Sequence, residues 1–238
     1  MGYRSIVNNI PGLEKLYSAY NYLDRRRYVS FANYPHTISI ELTTRCNSVC
    51  TYCPRGDLVN RNIRKIQDMD FKLLEHIIQQ IRVSKFEPRE ISPVGLGEPM
   101  LYGDLIPAIR LIKRELPSAY LSLNTNGIHF TKEQQDALIS NNVDCLTISL
   151  NFHSRDIYIK HCGIGAFDQV CTNIERFLKA KRSNKPKTII QILDIDDNVR
   201  DMVDFKSFWS KRINSNDTIS LRPFCDFGGT VAISQYKD

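Results

Sequence analysis

The chain has 238 residues, of which 42% are hydrophobic, 10% aromatic and 24% charged, enough to bury one sizeable core and unlike a disordered or low-complexity chain. Its net charge is +6, but apart from Arg25–Arg27 the cations are dispersed, which reads as a solvated surface rather than a nucleic-acid site. Seven cysteines, three of them in one loop, exclude a disulfide framework and point to a reducing cytoplasm. No stretch approaches the roughly 18 apolar residues of a membrane span, and the N-terminus lacks the long apolar region of a signal peptide.

Residues 1–35 are expected to form an N-terminal helical extension. Leu13, Leu16, Tyr17, Tyr20 and Leu23 recur at helical steps, predicting an amphipathic helix from about Pro11 to Arg27. Arg25–Arg27 would then sit favourably at its C-terminal end. Residues 36–238 read as the main domain, beginning with a strand over Thr37–Leu42.

Just past that strand stand Cys46, Cys50 and Cys53, spaced C-x₃-C-x₂-C. A strand feeding such a loop holds three thiolates near one point, which suits an iron–sulfur cluster. Three ligands on a four-iron cube would leave one iron free to bind a small molecule. A structural zinc site normally closes with a fourth Cys or His at short spacing, and the next cysteine here is Cys145.

From Asp70 the chain alternates helix and strand. Asp70 caps a predicted helix running to about Arg82, with Leu73, Leu74, Ile77, Ile78 and Ile81 on its buried face. Ile91–Leu96 reads as strand two, Leu105–Glu115 as a helix stopped by Pro117, and Tyr120–Asn124 as strand three. Thr131–Gln134 resembles a capping box opening a helix to about Asn141. Cys145–Leu150 is strand four, Phe167–Arg182 a long helix, Thr188–Ile195 strand five, Met202–Arg212 a helix and Ile219–Arg222 strand six. Such alternation predicts an α/β fold with parallel strands and right-handed crossovers. In folds of this kind ligands gather at the C-terminal strand ends.

The polar candidates lie at those ends. Gly95-Leu96-Gly97-Glu98-Pro99 follows strand two, where glycine admits a ligand close to the backbone and Glu98 can accept from an ammonium group. Asn124-Thr125-Asn126-Gly127 follows strand three, and Ser149 ends strand four. Gln191 and Arg222 are polar residues in buried-looking strands and need partners. For Arg222 a structural salt bridge and a substrate contact both fit. Cys145, Cys162 and Cys171 read as incidental buried thiols, while Cys225, just past strand six, could serve at a barrel mouth.

The cysteine loop followed by Gly97-Glu98-Pro99 resembles the radical S-adenosylmethionine (radical SAM) superfamily, from about His36 to Pro223. The resemblance implies a (β/α)₆ partial TIM-like barrel. Only about fifteen residues follow strand six, too few for two further units of roughly 30 residues each. It implies a [4Fe–4S] cluster on Cys46, Cys50 and Cys53, whose open iron chelates SAM. Reductive cleavage of SAM then yields a 5′-deoxyadenosyl radical that abstracts hydrogen from substrate. By the same resemblance Tyr52 lies near the adenine, or shields the cluster; Gly97, Glu98 and Pro99 hold the amino group; Asn124 serves the ribose. Ser149 meets the carboxylate or ribose, and Gln191 the carboxylate. An electron donor such as flavodoxin or ferredoxin is implied as partner.

Tyr158–Leu178 further resembles the subgroup whose members carry a C-terminal SPASM or twitch extension, which is absent or truncated here. The subgroup implies oxidation or cross-linking of a peptide or protein side chain. Dehydrogenation of a sugar or other small metabolite is an alternative, and a zinc- or cluster-stabilised module binding nucleic acid or protein is a third reading from another class.

Overall fold

The computed structural model describes residues 35–84, 87–181 and 184–232. The helix expected over 11–27 lies outside these residues. The described elements in order are β1 (Thr37–Ser39), α1 (Arg55–Asn60), α2 (Phe71–Val83), β2 (Glu90–Ser92), α3 (Leu105–Glu115), β3 (Tyr120–Thr125) and α4 (Lys132–Ser140). There follow β4 (Cys145–Asn151), α5 (Arg155–Cys162), α6 (Phe167–Ala180), β5 (Lys187–Asp194), α7 (Met202–Ser210) and β6 (Thr218–Pro223).

The six strands form one sheet in sequence order, β1 to β6, and every pairing from β2 to β6 is parallel. Each strand therefore returns through a helix to lie beside its predecessor, the α/β architecture of a partial TIM barrel. β-Branched and leucine side chains drive this arrangement. Leu121, Leu123, Leu146, Ile148, Ile190 and Ile192 are fully buried, as expected for strands covered on both faces.

The helices offer one apolar stripe each to that sheet. Leu74 and Ile78 of α2, Ile109 and Ile112 of α3, and Val170, Ile174 and Phe177 of α6 meet in a common core. Capping sets their starts: the Asp70 carboxylate accepts from Lys72 N–H at 2.7 Å. Thr131 and Gln134 form the reciprocal capping box that their spacing predicts.

Two differences from expectation shape the site. β1 and β2 are only three residues long, so Ile40–Leu42 and Pro93–Leu96 run as irregular chain beyond the ladder. The polar glycine turn thus begins earlier than the apolar run suggests. α5 and α1 are helices that periodicity does not predict: α5 lacks a strong apolar stripe, and α1 is six residues inside a polar loop. At the end of β4 the pairing register shifts between Ser149 and Asn151, and Asn151 takes a φ of 65°. A bulge of this kind re-aims side chains at a sheet rim.

Candidate active site

The C-terminal strand ends open on a cavity of about 320 Å³. Its wall brings together Cys46, Cys50, Tyr52 and Cys53 from the loop after β1, Gly97, Glu98 and Pro99 after β2, Asn124 on β3 and Ser149 on β4. Gln191 is not in that wall. It is buried behind it, its Nε2 donating to Ser149 Oγ at 3.3 Å and Asn151 Oδ1 at 3.4 Å. Its direct partners are the two residues at the β4 bulge.

The cysteine loop has little regular structure of its own and is held by a distant segment. Val49 N–H donates to Cys162 O at 3.1 Å and Thr51 N–H to His161 O at 2.8 Å. Ser48 Oγ donates to Cys162 O at 2.9 Å and lies 2.9 Å from Cys50 Sγ. Cys162 therefore is no incidental thiol: it stands in the cavity wall against Cys50. Its contact with Cys50 lowers the Cys50 thiol to about 6 against the opposing effect of burial, favouring the thiolate. The same contact pushes Cys162 up. Burial pushes Cys46 up to about 11 and also raises Cys53, which the Arg55 N–H and guanidinium, and after them the Arg222 guanidinium, partly offset.

The glycine turn locks onto this loop through backbone. Glu98 N–H donates to Arg45 O at 2.7 Å. A β-carbon on Gly97 would stand 1.9 Å from Thr43 O, so the two chains approach as only glycine allows. Glu41, which sequence reasoning passed over, organises the turn: its Oε1 accepts from Leu96 N–H at 2.7 Å and Gly97 N–H at 3.2 Å. Arg64 pairs with the same carboxylate. A lone glutamate within a predicted strand carries no signal of this in one sequence.

Glu98 is 3% exposed and already bonded. It accepts from Met100 N–H at 3.1 Å, Thr125 Oγ1 at 2.7 Å and Asn126 N–H at 2.7 Å. Burial nevertheless outweighs these donors and pushes its carboxyl up to about 7. Three of roughly four acceptor positions are used internally, so Glu98 joins β2 to β3 as well as facing the cavity.

Asn126 does more than stabilise its turn. Its Oδ1 accepts from Ile128 N–H at 3.0 Å, and its Nδ2 donates to Asn47 Oδ1 at 2.8 Å within the cysteine loop. Tyr52 Oη accepts from Asn151 Nδ2 at 2.9 Å, and the Tyr52 ring packs 6.0 Å from that of Phe152. The bulge at β4 is what turns Asn151 toward Tyr52. Arg222, Phe224, Cys225 and Phe227 complete the rim. Arg222, expected in a buried strand, is exposed at the cavity edge, and among the described residues it forms no ion pair.

The donor set fits an iron–sulfur cluster. Three thiols face one cavity. Three cysteines from one loop on one cavity wall are a donor set that an iron–sulfur cluster accepts.

Comparison with known proteins agrees. The family model for the Radical SAM superfamily matches residues 40–208. The chain is 28% identical over 169 residues to a probable GTP 3′,8-cyclase of Pyrococcus abyssi, covering 71% of this chain and 52% of that protein. It is 30% identical over 138 residues to a probable GTP 3′,8-cyclase of Saccharolobus solfataricus, covering 58% and 42%. The chain thus spans about half the length of the curated relatives it matches. In fold it resembles Streptococcus suis SuiB bound to its precursor peptide SuiA, at a TM-score of 0.66 and 18% identity, covering 87% of this chain and 44% of that one. It also resembles anSMEcpe with bound AdoMet, at a TM-score of 0.65 and 18% identity, covering 81% and 50%.

Proposed function

Because the chain belongs to the radical SAM superfamily, whose enzymes use a [4Fe–4S] cluster and SAM, we propose that Cys46, Cys50 and Cys53 hold the cluster and that the cavity beside them receives SAM and substrate. The observation that carries this reading is the convergence of the three thiols, the Gly97-Glu98-Pro99 turn, Asn124 and Ser149 on one cavity. Together the cluster and SAM supply reductive cleavage of SAM ending in hydrogen abstraction from the substrate.

The chain's own residues bind, orient and shield. The turn at Gly97 presents backbone to an ammonium group, and Glu98 adds one remaining carboxylate lone pair. Asn124 is open to the cavity and suits ribose hydroxyls; Ser149 suits the carboxylate or ribose, with Gln191 holding it from behind. Tyr52, fixed by Asn151 and Phe152, offers a ring edge to an adenine and covers the cluster side against water.

The substrate in this reading is a peptide or protein side chain, oxidised or cross-linked, supported by the fold likeness to SuiB. A small anionic metabolite is the second reading, favoured by the relatives named GTP 3′,8-cyclases and by the uncompensated Arg222 on the rim. No described helix is long and apolar enough to cross a membrane. We place the protein in the cytoplasm, supported by seven free cysteines, with a small electron-transfer protein as reductant.

Anaerobic reconstitution tests the reading. Wild-type protein is expected to hold about four iron atoms per chain and, with dithionite and SAM, to form 5′-deoxyadenosine. Cys50→Ala is expected to lose both iron and product; product retained by that variant would overturn the assignment. Deuterium carried from a labelled peptide, or from a labelled nucleotide, into 5′-deoxyadenosine separates the two substrate readings.

A further inference from the structure

The cysteine loop is tied to α5 by more than backbone. Thr51, between the second and third thiols, places Oγ1 3.0 Å from His161 Nδ1. The other ring nitrogen, Nε2, stands 2.6 Å from Asp197 Oδ2, and Lys160 Nζ reaches the same oxygen at 2.6 Å. Asp197 belongs to the 3₁₀ turn Asp196–Asn198 just after β5. A carboxylate can only accept, so Nε2 carries a proton; in the neutral imidazole Nδ1 is then left to accept from the Thr51 hydroxyl.

The ring itself is immobilised. His161 is 5% exposed and stacks on Phe152, with centroids 5.2 Å apart and planes 11° from parallel. Its neighbour Gly163 ends α5 at a φ of 67°, and a β-carbon there would come within 3.0 Å of Val49 O. The helix end and the cysteine loop are therefore in contact along His161, Cys162 and Gly163. The turn carrying Asp197 is anchored in turn: Asn198, wholly buried, donates to Asn151 O at 2.8 Å and Leu193 O at 2.7 Å.

We propose that Thr51, His161 and Asp197 form a positioning relay that holds the cysteine loop in ligating register, with His161 as the positioning residue. Partners outside a ligand set orient the ligands and tune the bound group in this way. The relay joins the loop after β1 to the turn after β5, across the mouth of the barrel, so the loop's register depends on the opposite half of the sheet. It rests on the reading of that loop as the cluster site.

Three variants separate its links. Thr51→Val removes the hydroxyl alone, on a residue exposed enough for the fold to tolerate the change. His161→Asn keeps a polar atom where Nδ1 stood and loses the bond to Asp197; His161→Gln does the reverse. Each reconstituted protein is assayed for the rate of iron loss to a chelator and for the midpoint potential of its cluster by redox titration. Thr51→Val, His161→Gln and His161→Asn each break one link, and each is expected to lose iron roughly ten-fold faster with a shifted potential. Thr51→Val and His161→Gln matching wild type in both readouts would overturn the relay, and His161→Asn matching wild type would remove Asp197 from it and overturn the link across the sheet. Wild-type protein that takes up no iron would instead remove the cluster reading, and the relay with it.

Discussion

At residue scale, Gly97 and Gly103 make opposite predictions from the same substitution. A methyl group at Gly97 meets Thr43 O at 1.9 Å, while at Gly103 it meets nothing within 4 Å. Gly97→Ala should force the turn off the cysteine loop, costing roughly 2–4 kcal/mol in urea denaturation and weakening SAM binding by calorimetry. Gly103→Ala should stay within about 0.5 kcal/mol of wild type or gain slightly. Glu98 gives a pH dependence. Its carboxyl, ordinarily near 4.5, is held up to about 7 by burial. The folded state therefore binds this proton more tightly than the unfolded one, and the stability it contributes is full below about 4.5 and lost as pH rises through about 7. The swing is of order 3 kcal/mol, to be read as the difference between wild type and Glu98→Gln in denaturation from pH 4 to 8. Superimposable pH profiles would show that Glu98 is not held protonated by its site.

At element scale, the placement of β6 depends on a buried ion pair. Lys181, at the end of α6, and Asp217, ahead of β6, have fully buried side chains and pair directly. Lys181 Nζ also donates to Pro186 O at 2.9 Å and Thr188 Oγ1 at 3.0 Å, and Asp217 accepts from Thr188 N–H at 2.8 Å. Lys181→Met leaves Asp217 charged and unpaired, an expected loss of about 3–5 kcal/mol by denaturation. Adding Asp217→Leu should restore part of it, since the two changes share one interaction. A double variant that loses the sum of the two single effects would argue against coupling. Because β6 carries Arg222 at the cavity rim, loosening this pair should also weaken the substrate side before it affects the cysteine loop.

At the scale of the whole molecule, the cysteine loop is pinned at its far side to α5 and at its near side to the β2 turn, so a cluster bound there links both halves of the sheet. Stripping iron with a chelator should lower Tm by several degrees, consistent with a ligand that binds the folded state alone. An unchanged Tm would place the loop outside the cooperative unit. The sequence by itself determined the alternation of helices and strands, the capping of α2 and α4, and the three thiols with Gly97, Glu98 and Pro99, because these follow from local periodicity and from residue types whose chemistry depends on short spacing. Only the tertiary structure decided that Glu41 organises the turn at Leu96–Gly97, that Gln191 lies behind the wall, that Cys162 and His161 reach the cysteine loop, and that Asp197 holds His161. Those contacts join residues tens to more than a hundred positions apart, and one sequence carries no record of which distant polar groups burial will force to share a hydrogen bond.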